Sequence, residues 1–181
     1  MGYPPKEVLR ELIDGKLPWD LTKRILSGIK DEDRFDKYLE ILQERVPWQE
    51  KILLPYQEHL YIVQKGEDRV VKCDCGYEFG DYRENWKLRA AIDLPTEQEL
   101  DVLYPSYAKP DTKFCEVRRF YCPGCGTLLE VEVVPRGYPV IFDFLPDIDG
   151  FFREWLGRPL EIEKEFKDLS YELIESWDKS K

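Results

Sequence analysis

The chain has 181 residues, 43% apolar and 14% aromatic, with 37 acidic against 27 basic side chains and a net charge of −10. That apolar fraction supports a packed core and excludes wholesale disorder. The acidity sets the surface against phosphate backbones and anionic bilayers, so neither nucleic acid nor membrane is expected as a partner.

No apolar run approaches the ~20 residues that span a bilayer. The opening Met1-Gly2-Tyr3-Pro4-Pro5 carries no charged-then-apolar leader, and Lys6 stands where N-myristoylation wants a hydroxyl. A cytoplasmic location is expected, and there five cysteines argue against a disulfide framework.

Helices are expected first. Pro5 suits a helix start, Val8, Leu9, Leu12 and Ile13 recur at helical spacing, and Gly15 suits the stop. Leu21, Ile25 and Leu26 mark a second helix ending near Gly28. A third is expected to open at Asp31 as N-cap, to carry Phe35, Tyr38, Leu39, Leu42 and Val46, and to end at Pro47. The period then changes. His59–Lys65 and Arg69–Cys73 read as a hairpin turning at Gly66, and Lys87–Ile92 reads as a further strand. Thr96 caps a short helix ending before Pro105. Glu116–Tyr121 and Thr127–Val134 form a second hairpin. Pro146–Leu156 reads as an aromatic helix, and from Leu160 onward Ile162, Phe166, Leu169, Leu173 and Trp177 make one apolar stripe on a charged helix.

Four of the five cysteines form two tight pairs, Cys73-Asp74-Cys75-Gly76 and Cys122-Pro123-Gly124-Cys125-Gly126, each at an expected hairpin tip. Two knuckles of this kind can deliver four thiolates to one tetrahedral zinc, and the glycines let the backbone turn so that N–H groups point at sulfur. Cys73, Cys75, Cys122 and Cys125 are therefore the expected ligands of a structural Zn2+. The first pair has only Asp74 between its cysteines, one residue fewer than the usual spacing. Buried free thiols are the competing reading, and iron in the same cage would make a rubredoxin-like electron carrier. Cys115 is left as a packed or half-exposed thiol.

The rest of the chain offers no catalytic constellation. There is no phosphate-binding glycine loop and no nucleophile with a sequence partner. His59 reads as a strand-edge residue, and Asp81, Glu84, Asp143, Asp147 and Asp149 read as solvated surface. No catalytic or cofactor-binding residue is assigned. Arg118 and Arg119 beside the second hairpin are the one feature favouring a nucleic-acid-binding zinc ribbon. The expected class is α+β, with a zinc-ribbon-like hairpin core. Its expected parts are an N-terminal helical arm over 1–50, a zinc-binding β domain over 51–145 and a C-terminal helical segment over 146–181.

Specific strings add a resemblance. Lys30–Glu40 with Leu42–Trp48, Leu60–Gly66, Val71–Gly76, Gly80–Leu88, Tyr121–Gly126, Tyr138–Val140, Asp143–Asp147 and Trp155–Gly157 resemble the γ subunits of the acetone carboxylase family, a likeness running from about residue 6 to 160. It implies the smallest, non-catalytic subunit of an ATP-dependent ketone carboxylase. In such hetero-oligomers larger subunits, which would hold the ATP and its divalent metal, activate a ketone and bicarbonate and join them as a β-keto acid. Acetone and acetophenone carboxylases both belong to the group, and the tail after Leu160 leans the expectation toward an aromatic ketone. A stand-alone rubredoxin-like or zinc-ribbon module is the alternative.

Overall fold

The structure, a computed structural model, describes residues 4–28 and 31–178; Met1-Gly2-Tyr3 and Lys30 of the first family-like string lie outside them. Helices and antiparallel sheets make the chain α+β. Three N-terminal helices, α1 (Lys6–Ile13), α2 (Trp19–Ser27) and α3 (Arg34–Gln43), lead into a four-stranded meander, β1 (Lys51–Gln57), β2 (Leu60–Lys65), β3 (Asp68–Cys73) and β4 (Glu78–Asp81). A 3-10 turn over Trp86–Arg89 leads to β5 (Ala91–Asp93) and α4 (Glu97–Leu103). Strands β6 (Cys115–Tyr121) and β7 (Leu128–Pro135) complete a second sheet in the order β5-β6-β7. The chain ends in α5 (Ile148–Gly150), which runs into a π-helical turn over Phe151–Trp155, and α6 (Ser170–Asp178).

The main core lies between the two sheets and the C-terminal turn. Leu53, Leu60, Ile62, Val71 and Phe79 meet Phe120, Trp86, Ile148 and Phe152 there, with Cys73 and Cys122 at its edge. An edge-to-face aromatic chain crosses it: Tyr77 to Phe79 at 5.0 Å, Phe79 to Trp86 at 5.7 Å, Trp86 to Phe120 at 6.1 Å. A second core fills the other face of the first sheet, where Leu42, Val46 and Trp48 pack on Ile52, Tyr61 and Val63.

Several expected elements change form for identifiable reasons. Asp31 is not a cap: helix α3 starts at Arg34, and the buried Asp31 carboxylate accepts from Arg34 Nε at 2.6 Å and Lys37 Nζ at 3.3 Å. Strand β1, which carries no expectation above, contains Pro55, a residue that an edge strand with bulges on either side tolerates. The strand expected over Lys87–Ile92 is half 3-10 turn, with only Ala91 and Ile92 in β5, and Asn85 Oδ1 caps the turn's start by accepting from the Lys87 N–H at 3.1 Å. The aromatic segment before Leu156 buries Ile148 and Phe152 but leaves Trp155 82% exposed.

The long C-terminal helix is only nine residues, Ser170–Asp178. Between Leu160 and Leu169 the backbone is spent on tertiary partners. Ile162 O accepts from Arg69, Lys164 N donates to Asp149 at 3.0 Å, and Leu169 N donates to Arg83 O at 2.8 Å. A helix would withdraw these groups. Asp149 is accordingly no solvated carboxylate: it is buried, and Arg69 grips it from β3. Thr96, by contrast, caps α4 as expected, and Glu99 reaches back to the Thr96 N–H to complete a capping box.

Candidate metal centre

Cys73 closes β3 and Cys75 lies in the turn to β4, while Cys122 and Cys125 lie in the turn between β6 and β7. The two sheets thus present their hairpin tips to each other. All four Sγ atoms fall within 4.8 Å of one another, with Cys73 to Cys125 at 3.9 Å and Cys75 to Cys122 at 3.7 Å. No disulfide forms, since an S–S bond is about 2.05 Å. Four sulfurs about 2.3 Å from one ion stand about 3.8 Å apart along each tetrahedral edge. The observed spacings fit that cage, so these four residues could hold a metal ion.

The knuckle backbone supports the sulfurs. Backbone N–H groups favour the thiolate forms: that of Cys75 at Cys73, those of Gly124 and Cys125 at Cys122, and that of Thr127 at Cys125. Gly76 and Gly126 take φ of 101° and 73°, the left-handed region glycine adopts without strain. Their own N–H groups donate to the Cys73 and Cys122 carbonyls, at 2.9 and 2.8 Å. The glycines therefore close the turns, and their neighbours supply the donors to sulfur.

The environments of the four thiols differ. Cys73 and Cys122 are buried, Cys75 and Cys125 exposed. Burial pushes the Cys73 and Cys122 thiols up. The Thr127 hydroxyl, 3.2 Å from Sγ, acts with the Thr127 N–H against partial burial and brings Cys125 down to about 7. A thiolate forms more readily there than at Cys73 or Cys122.

The one-residue spacing of the first pair works because Asp74 is held on every side. Its N–H donates to His59 O at 3.1 Å, and its carbonyl accepts from Trp48 Nε1 at 3.1 Å, a donor shared with Cys73 O. Its carboxylate lies 2.7 Å from His59 Nδ1. His59 is no strand-edge residue: it occupies the β1–β2 turn with φ of 66°, a position that usually goes to glycine or asparagine. Sequence reading missed Trp48, His59, Asp74 and Thr127 as supports, although Asp74 between two cysteines and the chain's lone histidine were visible signals.

The other metal-capable cluster among the described residues, Glu130, Glu132 and Asp143, already surrounds a cation. The buried Lys87 ammonium sits 2.7 Å from Glu130 and also bonds to Glu132 and Asp143. Arg118 is buried, bonded to Glu116 and the Tyr138 carbonyl, and Arg119 pairs with Asp93. Neither arginine is left to meet a phosphate. Cys115 is half-buried, its Sγ 3.2 Å from Asp111 O. Among the described residues, no helix is long and apolar enough to cross a membrane.

The family model for the acetone carboxylase gamma subunit matches residues 46–156, a span holding both sheets and all four clustered cysteines. The chain is 44% identical over 163 residues to the acetone carboxylase gamma subunit of Xanthobacter autotrophicus strain Py2, covering 88% of this chain and 96% of that protein. It is 34% identical over 80 residues to the acetophenone carboxylase beta subunit of Aromatoleum aromaticum, which covers 42% of this chain and 62% of that one. A family model spanning most of the chain, and a relative matched nearly end to end, lead to one conclusion: the chain belongs to the acetone carboxylase gamma subunit family.

Proposed function

We propose that this chain is the small zinc-binding scaffold subunit of a cytoplasmic, ATP-dependent ketone carboxylase. The observation that carries the reading is a set of four cysteine sulfurs within 4.8 Å of one another, two from each sheet, in a member of a carboxylase-subunit family. Cys73, Cys75, Cys122 and Cys125 hold the ion. Bound zinc supplies a cross-link and folding free energy, because four thiolates leave no position open for water or substrate. The N–H donors of Cys75, Gly124, Cys125 and Thr127 offset part of the surplus negative charge of such a centre.

Catalysis then belongs to larger partner subunits, which hold the ATP and its divalent metal and convert ketone and bicarbonate to a β-keto acid. The substrate is a ketone of the acetone or acetophenone type. Acetone is the one to assay first, since the relative matched over most of the chain bears that name. Native mass spectrometry of the purified assembly, with elemental analysis on the same sample, tests both halves of the reading. Large subunits with one zinc per copy of this chain are expected. A solitary chain would overturn the carboxylase assignment, and a red, iron-loaded one would replace zinc with a redox centre.

A further inference from the structure

Two sulfur contacts in the cysteine cluster join one sheet to the other. Cys73 Sγ lies 3.9 Å from Cys125 Sγ, and Cys75 Sγ lies 3.7 Å from Cys122 Sγ. Each contact also joins unlike partners. Cys125 and Cys75 are exposed, whereas Cys73 and Cys122 are buried, 0% and 1% accessible. An oxidant arriving from solution therefore reaches one sulfur of each pair, with a protected thiol held beside it.

Gly124 brings the two turns into contact. A Cβ there would lie 2.9 Å from Tyr77 Cβ and 3.4 Å from Cys75 Sγ, so the second knuckle is seated directly on the first. Each knuckle is closed by its own hydrogen bond, Gly76 N–H to Cys73 O and Gly126 N–H to Cys122 O. Closing 3.7 and 3.9 Å to the about 2.05 Å of a disulfide breaks neither of them. A link within the first knuckle would instead have to close around Asp74 alone, whose N–H and carbonyl are tied to His59 and Trp48. Cys115 is out of reach: it opens β6 while Cys122 follows that strand's end, roughly 20 Å away at the rise of a strand.

We propose that the four cysteines form a thiol–disulfide switch: a hydroperoxide converts Cys73 with Cys125, and Cys75 with Cys122, into two cross-sheet disulfides, and the site gives up its ion. The proposal rests on the zinc reading above. The exposed Cys125 sulfur attacks one oxygen of hydrogen peroxide. The O–O bond breaks, the other oxygen takes up a proton and leaves as water, and a sulfenic acid remains. Cys73 then attacks that sulfur, the S–O bond breaks, and the oxygen leaves with a second proton as water. Two electrons pass from the pair to one peroxide. Cys75 and Cys122 repeat the sequence, so four thiolates, four protons and two peroxides give two disulfides and four waters. The paired cysteines are 52 and 47 positions apart, loops long enough for a disulfide to replace the ion as the tie between the sheets. In a reducing compartment such links are transient, as redox sensing requires.

The test titrates the purified assembly with hydrogen peroxide beside a chromogenic zinc chelator, then maps this chain's peptides without reduction. About one zinc per copy should be released as its free thiols fall from five to one, Cys115. The peptide holding Cys73 and Cys75 should be joined to the one holding Cys122 and Cys125, and fragmentation should assign the links as Cys73–Cys125 and Cys75–Cys122. Dithiothreitol with Zn2+ should restore the five thiols and the metal. A Cys115→Ser variant should give the same links. Disulfides within each knuckle, which would leave the two peptides separate, overturn the proposal. So do sulfinic or sulfonic acids in place of disulfides, and thiols that persist under excess peroxide. An untreated assembly that carries no zinc defeats the metal reading instead, and the peptide map still decides whether the cross-sheet disulfides form.

Discussion

Arg69 and Asp149, 80 positions apart, are joined by two parallel hydrogen bonds of 2.6 and 2.7 Å at a buried site where β3 meets the C-terminal segment. The pair is more than a single link. Asp149 also accepts from the Lys164 N–H, and Arg69 also donates to Ile162 O. Through it the first sheet fixes the course of the chain after Leu160. A guanidinium suits this duty because its planar fork binds a carboxylate and a carbonyl at once.

Asp149→Ala should therefore destabilise the protein by about 3–5 kcal/mol, the cost of leaving one buried charge without its partner. The double variant Arg69→Met/Asp149→Leu should cost clearly less than the two single substitutions added together, because it leaves no unpaired buried charge. Urea unfolding midpoints decide the matter. Additive losses would show that the clamp contributes no coupling.

The same pair gives a pH dependence with a defined sign. Burial pushes the Asp149 carboxyl up, but the Arg69 hydrogen bonds and the Lys164 N–H outweigh it and hold it below the ordinary value. A carboxyl depressed in the folded state contributes stability that is present above its unfolded pKa of about 3.9 and is lost as pH falls through the folded value. Denaturant midpoints measured from neutral pH downward should fall on acidification. In Asp149→Asn that component of the fall should be missing, and an identical acid limb in both proteins would refute it.

His59 offers a test of strain against bonding. In its left-handed turn position, His59→Gly removes the side-chain bond to Asp74 but also relieves the backbone, whereas His59→Ala removes the bond and keeps the strain. Alanine should thus be the more destabilising by about 1 kcal/mol. On the metal reading, both variants should release the ion to a chelator faster than wild type, because Asp74, between two of the cysteines, loses the bond to its carboxylate. Equal release rates in all three proteins would leave His59 as a turn residue only.

Cys122→Ser with Cys125→Ser removes two of the four sulfurs while leaving the second hairpin's turn glycines in place. The variant should bind no stoichiometric metal. The β region should lose cooperative unfolding, since structural zinc supplies on the order of 10 kcal/mol of folding free energy in small zinc domains. Elemental analysis and thermal melts, with a chelator-treated wild type beside them, are the measurements. An unchanged melt in both samples would remove the cross-link from the account of stability.

Short-range chemistry was readable along the chain. The Thr96 cap, the turn at Gly66, the glycines after each cysteine pair and the spacing of those pairs are all settled within a few residues, and each stands as its local sequence states. What misled was local pattern overruled from a distance. Leu160–Leu169 has helical spacing, yet Arg69, Asp149 and Arg83 claim its backbone groups. Asp149 resembles its exposed neighbours in composition and differs from them only in having Arg69 across the core.

By itself the sequence determined that two glycine-flanked cysteine pairs sit at turns, that helices precede a β-rich middle, and which family the motifs resemble. Only the tertiary structure decided that the pairs meet and which charges lie inside. The division follows from range. Turns, caps and ligand spacings are fixed by backbone geometry over a handful of residues, whereas burial and charge pairing depend on which distant segment arrives opposite, and no window along the chain contains both partners.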